Sequence, residues 1–396
     1  MKKRITVALS QSILLYPPAI NLIENLLTNG YGVNLVANEI DALPDIILKN
    51  PNFSAFNIPL VKGNDYYHSW KRMIIRKKYL KIYVQKAMKN AEFLWTLSDQ
   101  TVKDLGDIVL KYKHIMQLME LIAWTPRNPG LERVPILKGL LKTKLLRFPI
   151  QKYAQSAWKV VVPEINRAYI ERVWLDLPKL PVVLPNKPYK IKVKKESEVD
   201  NRTKLALQKI KEEKRKVIVY LGIIFGERNL DTFAEAVNKL GKDYCLYVIG
   251  KTPFPKDLEH LKRLKEKYSN IEYLGYFKAP DHLLFLKYCH IGLLPYYPSA
   301  KKDRYSLGLN VLYCAPNKIF EYSAFGLPML GTDVLGLREP FYKYNMGRTI
   351  SRINADEVVR KIKEIENNYK DLQKGCHNFY QSVDLDLIVR NILESD

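Results

Sequence analysis

Short β-branched runs that close on glycine alternate with helix-period segments through the whole C-terminal half of this chain. Val217-Ile218-Val219-Tyr220-Leu221-Gly222 reads as a buried strand. Leu230, Phe233, Ala234, Val237 and Leu240 then recur at helical spacing, and Gly241 stops them. Further strands are expected at Tyr244 to Gly250, Ile271 to Gly275 and Ile291 to Leu294. A charged helix is expected over about Lys256 to Tyr268, and another opens at Pro280 and reaches about Cys289. Such alternation means βαβ units, hence a parallel sheet with helices on both faces. The N-terminal half repeats the pattern less cleanly. Its strand candidates are Ile5–Leu9, Gly32–Val36, Phe93–Trp95, His114–Leu118 and Trp158–Val162, with a helix from about Pro18 to Thr28 that ends at Gly30.

A chain of 396 residues exceeds one ordinary core, so two domains in series are expected. We place them at 1–188 and 189–380, with a C-terminal helix over 381–396 that crosses back to the first. Leu184-Pro185-Asn186-Lys187-Pro188 is the exit from the first domain. The lysine-rich stretch from Lys190 to Lys216 bridges to the second, and reads as helix from Lys204 on. The expected fold class is α/β: two doubly wound, Rossmann-like domains facing a cleft, with ligands at the carboxyl ends of the strands. Neither half carries G-x-G-x-x-G or a Walker loop, which argues against a nicotinamide enzyme and a P-loop NTPase. No run of eighteen apolar residues is present, so no membrane-spanning helix is expected. Lys2-Lys3-Arg4 and the apolar run behind it mimic the start of a signal peptide. Ser10-Gln11-Ser12 breaks that run, which reads better as a first buried strand. The four cysteines are widely spaced and read as core residues or free thiols of a reducing cytoplasm.

The net charge is +23, and residues 1–190 hold 29 Lys and Arg against 14 Asp and Glu, or +15. Such a field attracts polyanions without saying which. One segment concentrates it. Trp70 to Asn90 carries eight Lys or Arg and no acid, interleaved with Trp70, Met73, Ile74, Ile75, Tyr79, Leu80, Tyr83, Val84 and Met88. A basic amphipathic helix reads as an anionic membrane surface binder; a core-facing helix with a basic outer face fits equally. A nucleic-acid partner lacks any recognisable module and is not expected.

The segment richest in chemistry is Ala315-Pro316-Asn317-Lys318-Ile319-Phe320-Glu321-Tyr322-Ser323-Ala324-Phe325-Gly326-Leu327-Pro328. Pro316 stands where a first helical residue would, and Gly326 and Pro328 mark the stop. The strand-like Met329-Leu330 follows. A helix start offers free N–H groups and a positive dipole end, which suit a phosphate. Lys318 adds charge there, and Glu321, on the same face, is placed to accept from ribose hydroxyls. A solvated surface pair at i,i+3 would look the same. The loop Gly222-Ile223-Ile224-Phe225-Gly226-Glu227-Arg228-Asn229 ends another strand. Its Arg228 reads either as a surface arginine or as a second cation on the same diphosphate. Gly250 and Gly275 also end strands, where they admit a flat base or simply make turns.

These segments, in this order and spacing, resemble the donor domain of the retaining family 4 glycosyltransferases of the GT-B fold, over about residues 185–350. The resemblance implies that Arg228 and a second cation, Lys318 here, hold the leaving diphosphate. It also implies that Glu321 binds the ribose. Gly222, Gly250, Tyr276 and Asn317 complete the implied nucleotide site. Ile223 stands where many members have arginine and Tyr313 where many have glutamate. Leu9-Ser10-Gln11-Ser12 replaces a Gly-Gly loop. Glu120, in Gln117-Leu118-Met119-Glu120, matches a strand-end His-Glu pair whose histidine is Met119; it reads as a catalytic carboxylate or as a solvated one.

The implied activity is retaining transfer of a sugar, from a UDP-sugar by preference, to a glycan or lipid-linked acceptor. It would serve cell-surface polysaccharide synthesis at the inner face of the plasma membrane. The alternatives are a GT-B sugar-nucleotide epimerase, or a silent GT-B module that partners another transferase. No cofactor beyond the sugar nucleotide is expected, and no metal. Asp384-Leu385-Asp386 matches a metal-binding D-x-D but falls in a helix and reads as a solvated face, and the six histidines show no ligand spacing.

Overall fold

The computed structural model describes residues 3–60, 66–121, 150–224, 228–298 and 307–394. Gly226 and its two neighbours in the first loop of the C-terminal half lie outside them. The chain divides into two compact units, one of Met1–Tyr189 with Asp384–Asp396, the other of Lys190–Asp303 with Leu307–Val383.

The first unit is built on a seven-stranded sheet of order β3-β2-β1-β4-β5-β6-β7. Its strands are β1 (Arg4–Ser12), β2 (Gly32–Asn38), β3 (Phe53–Asn57), β4 (Phe93–Leu97), β5 (Lys113–Gln117), β6 (Lys159–Val162) and β7 (Val182–Val183). Every pairing is parallel. The order reverses direction between β1 and β4, the signature of a doubly wound sheet. Buried on both faces, β1 and β4 read as near-continuous apolar runs, with Ile5, Val7, Leu9, Phe93 and Trp95 fully enclosed. Leu9–Ser12 is not a loop. It continues β1 through a register shift, and Ser12 pairs with Asn38.

The helices that matter here are α1 (Pro17–Thr28), α2 (Tyr66–Ala87), α3 (Asp99–Leu105) and α4 (Ile165–Trp174). α2 buries Leu80, Val84 and Ala87 against the sheet, so it is a core helix. Its basic residues do not all face outward. Arg76 Nε donates to Asp104 Oδ2 of α3 at 2.7 Å, and the Asp104 side chain is wholly enclosed.

The second unit is a six-stranded parallel sheet of order β10-β9-β8-β11-β12-β13. Its strands are β8 (Lys216–Leu221), β9 (Tyr244–Ile249), β10 (Ile271–Gly275), β11 (Ile291–Leu294), β12 (Met329–Thr332) and β13 (Gly347–Ile350). The switch in direction falls between β8 and β11. Among its helices are α5 (Asn201–Lys211), α6 (Asp231–Lys239), α7 (Pro255–Lys267) and α8 (Asn317–Ala324). The segment opened by Pro280 is a 3-10 helix, Asp281–Tyr288.

The last helix, α9 (Leu385–Glu394), packs with the first unit. Asp384 caps it by accepting from Leu387 N at 3.0 Å. Asp386 accepts from Asn25 and Asn29 of the α1 end at 2.7 Å each. Reading these carboxylates as a solvated face was wrong for Asp386, whose oxygen is held by two amide donors.

Candidate active site

A doubly wound sheet binds ligands outside the carboxyl ends of its strands, at the switch point. In the second unit that point lies between β8, which Gly222 follows, and β11, which leads to Tyr296. Helix α8 is seated over it by one buried side chain. The Tyr322 ring lies on Gly292 of β11, where an added Cβ would stand 2.5 Å from the ring. Its hydroxyl accepts from Leu221 N at the end of β8, at 3.0 Å. One turn earlier on the same helix face, Lys318 is therefore laid against the strand-end glycine. A Cβ at Gly222 would fall 2.6 Å from Lys318 Nζ, and the Gly222 φ of +131° independently favours glycine.

The helix itself starts one residue later than expected. Pro316 is its N-cap, with extended backbone, and no side chain caps the first turn. Asn317 and Lys318 are thus the first two helical residues, and their N–H groups have no intrahelical acceptor. Gly326, at φ +61° after the C-cap Phe325, closes the helix as the sequence implied.

Two cations share one aromatic floor. The Arg228 guanidinium carbon stands 3.8 Å from the centroid of the Tyr296 ring, and Lys318 Nζ stands 5.8 Å from it. Lys318 Nζ also lies 4.8 Å from the Tyr220 ring centroid. Tyr296 is buried, and enclosure keeps both phenols un-ionised by raising them. The enclosure acts on Lys318 in the opposite sense. Desolvation first, and then the Arg228 charge, push its ammonium down to about 7, with Glu321 opposing. Glu321 itself lies 3.6 Å from His282 Nε2, and both side chains are largely enclosed.

The sequence-derived site residues divide by location. Gly222, Arg228, Asn317, Lys318 and Glu321 belong to this switch-point cluster. Gly250 lies against the neighbouring strand end. Its φ is +156°, and an added Cβ would stand 1.7 Å from the Gly222 carbonyl oxygen, so the neighbouring strand end demands the glycine. Tyr276, 53% exposed, follows β10. Glu120 belongs to the first unit, exposed just past β5, with Arg167 Nη1 3.4 Å away. That buried guanidinium also donates to the Met119 carbonyl at 2.8 Å. Missed were Tyr220, which reads as an ordinary strand residue, Tyr296, just past the strand expected at Ile291 to Leu294, and His282. Behind Arg228 lies a cavity of about 60 Å³ lined in part by Asn229, Asp257 and His260. His260 Nε2 is 2.6 Å from Asp231 Oδ1 there. Among the described residues no group of His, Cys, Asp and Glu has the arrangement of a metal site.

A doubly wound domain with paired cations at its switch point is the class of structure this geometry defines. Residues 201–381 match the family described as Glycosyl transferases group 1. No curated protein matches the chain in sequence. Solved structures match along nearly its full length. Sucrose-phosphate synthase from Thermosynechococcus elongatus superposes with a TM-score of 0.69 at 13% identity, covering 99% of this chain and 98% of that one. HepE of Anabaena in complex with UDP gives 0.66 at 11% identity, covering 100% and 99%. WaaG, a glycosyltransferase involved in lipopolysaccharide biosynthesis, gives 0.61 at 15% identity, covering 99% and 100%. At these identities the likeness establishes the fold: two parallel-sheet, Rossmann-like domains of the GT-B kind.

Proposed function

We propose that the protein is a glycosyltransferase that moves a sugar from a nucleoside diphosphate sugar, UDP-sugar by preference, to a glycan or lipid-linked acceptor. The observation that carries this reading is the pair Arg228 and Lys318 over one tyrosine ring, at an uncapped helix start on the switch point. The family match over 201–381 and the UDP held by HepE, a protein of the same fold, support it.

As the bond from the sugar to the diphosphate breaks, negative charge grows on the leaving oxygens. Arg228, Lys318 and the free N–H groups of α8 meet that charge more strongly in the transition state than in the bound donor, which is what accelerates the step. In this reading fixed protein cations do the work of a divalent ion, so transfer is metal-independent. Glu321 accepts from the ribose hydroxyls, and Glu120 is the carboxylate on the acceptor side. Transfer proceeds with retention, without a protein nucleophile, in cell-surface polysaccharide synthesis. The exposed residues of α2 hold the enzyme peripherally on the anionic inner face of the plasma membrane.

The test is a thermal-shift panel of nucleotide sugars followed by product analysis in excess EDTA. A ligand at a hundred times its dissociation constant stabilises by about 2.7 kcal/mol. Stabilisation by UDP-sugars and transfer to an added glycan that survives chelation support the reading. Isomerised UDP-sugar without transfer would replace it with the epimerase, and a panel without any shift would reject it.

A further inference from the structure

Helix α5 belongs to the lysine-rich stretch that reads in the sequence as a bridge between domains, yet it brings an arginine to a strand end. It runs antiparallel to β10. Lys209 Nζ lies 2.8 Å from Glu272 Oε2, and seven residues earlier Arg202 meets Gly275, three residues further along the strand. Seven helical residues at about 1.5 Å and three strand residues at about 3.3 Å both span roughly 10 Å, so the two contacts describe one alignment. A Cβ added at Gly275 would stand 2.5 Å from Arg202 Nη2, and the Gly275 φ of +88° again favours glycine. The Arg202 guanidinium carbon is 5.2 Å from the centroid of the Phe277 ring.

Among the described residues, nothing accepts a hydrogen bond from this guanidinium. Arg215, Arg338, Arg348 and Arg360 of the same unit each pair with a carboxylate. The nearest acid in sequence, Asp200, is engaged as the helix cap, accepting from Thr203 N at 2.7 Å, and feels the Arg202 charge without a hydrogen bond to it. The exposed Arg202 side chain therefore presents donors without a protein acceptor among the described residues at the carboxyl end of β10, which the exposed Tyr276 follows. In the order β10-β9-β8 this point is two strand spacings from Gly222, roughly 10 Å. That is the reach of a nucleoside whose diphosphate rests at Lys318.

We propose that Arg202 selects the nucleobase of the donor by donating to the carbonyl at uracil O4 or guanine O6. A guanidinium is all donor and no acceptor, so it complements the keto oxygen at that position and opposes the exocyclic amine that cytosine and adenine carry there. The inference rests on the nucleotide-sugar reading of the second unit and adds the base to it. Tyr276 supplies the flat surface beside the base.

The experiment is calorimetric titration of UDP, GDP, CDP and ADP into wild type, Arg202→Ala and Arg202→Gln, with thermal unfolding confirming that each variant folds. Wild type should bind the better keto nucleotide about tenfold or more tightly than its amino counterpart, UDP over CDP or GDP over ADP. Which of the two binds better names the base. Arg202→Ala should weaken that nucleotide about tenfold and leave CDP and ADP unchanged. Arg202→Gln, whose amide can also accept, should narrow the gap. Equal weakening of all four, or none, would overturn the assignment while leaving the nucleotide site standing. Failure of wild type to bind any of them would overturn both.

Discussion

The Arg228 guanidinium lies over Tyr296 with its carbon 3.8 Å from the ring centroid, and Lys318 Nζ stands 5.8 Å from the same centroid. Two like charges near one small anion site repel unless something holds them there. The ring does so: a cation over an aromatic face gains about 0.5–2 kcal/mol. Tyr296→Phe should leave donor affinity near wild type, while Tyr296→Leu should weaken it several-fold. Arg228→Ala and Lys318→Ala should each lower turnover by about 10² or more, since each removes charge stabilisation at the leaving group. Steady-state kinetics on all four variants checks this; near-wild-type turnover in both alanine variants would dismiss the clamp.

Lys318 also gives donor binding a pH dependence. Its ammonium is pushed down to about 7 in the free protein by burial and by Arg228. A bound diphosphate favours the charged form, so binding takes up a proton wherever free Lys318 is neutral. Affinity is therefore full below pH 7 and falls above it, about tenfold per unit while the bound form stays charged. UDP-glucose is the better probe than UDP, because its diphosphate does not titrate in this range. Calorimetry between pH 6 and 9 should show the fall for wild type and a flat, weaker profile for Lys318→Ala. A flat wild-type profile would mean that the ammonium is not at the diphosphate.

How this site could be read in the sequence follows from what is local in it. Lys318 and Glu321 stand on one helix between Pro316 and Gly326, so period and punctuation suffice to place them. Gly222 was legible as a strand end, although not the reason for it, which is Lys318 in the space a side chain would fill. Tyr296, Arg202 and the Arg76–Asp104 pair depend on contacts between elements far apart in the chain, and no local pattern marks them. The short β3, β7 and β13 were missed for a different reason. Phe53–Asn57 breaks its two Phe with Ser and Ala and buries none of its residues, Val182–Val183 is two residues long, and Gly347–Ile350 carries Arg348. Strands at or near a sheet edge lack the continuous apolar run that betrays a central one.

The Glu321 carboxylate tests the ribose assignment. Glu321→Gln keeps the shape and removes the charge that strengthens an accepted hydrogen bond. Its affinity for UDP should fall by about tenfold, since hydrogen bonds to charged groups contribute about 1.5–3 kcal/mol. An unchanged dissociation constant by calorimetry would remove Glu321 from the site and leave it as the partner of His282.

The first unit carries a buried histidine with a predictable cost in acid. His114, 2% exposed on β5, has its Nε2 2.8 Å from Thr96 Oγ1, and burial pushes its imidazole down to about 3. An unfolded histidine titrates near 6.5. Between those values the unfolded chain holds the extra proton, so this contribution to stability is complete above pH 6.5 and lost as pH falls toward 3. The slope is about 1.4 kcal/mol per unit. His290 is also lowered by burial, so the readout is a difference: denaturant unfolding of wild type should lose stability faster below pH 6.5 than that of His114→Gln. Parallel curves would mean that His114 is protonated in the fold.

Membrane attachment through α2 demands a more careful charge reversal than its sequence suggests. Trp70, Met73 and Ile74 are exposed toward the start of the helix, and Lys71, Lys78, Lys81 and Lys86 are exposed along it. Each such lysine near an anionic surface contributes about 1 kcal/mol, screened by salt over roughly 8 Å at physiological strength. Lys71, Lys78, Lys81 and Lys86 changed together to Glu should release the protein from anionic vesicles without altering UDP binding in the other unit. Arg76 must be left out of that set. Removing it leaves the enclosed Asp104 carboxylate, among the described residues, with the Gln100 amide 2.9 Å away, and breaking a buried pair costs about 3–5 kcal/mol. Arg76→Ala should therefore lower the unfolding midpoint while the folded protein still sediments with vesicles, and the four-lysine variant should do the reverse. Wild-type co-sedimentation should rise with anionic lipid and fall with salt; binding indifferent to salt and to the lysine reversal would exclude α2 as the anchor.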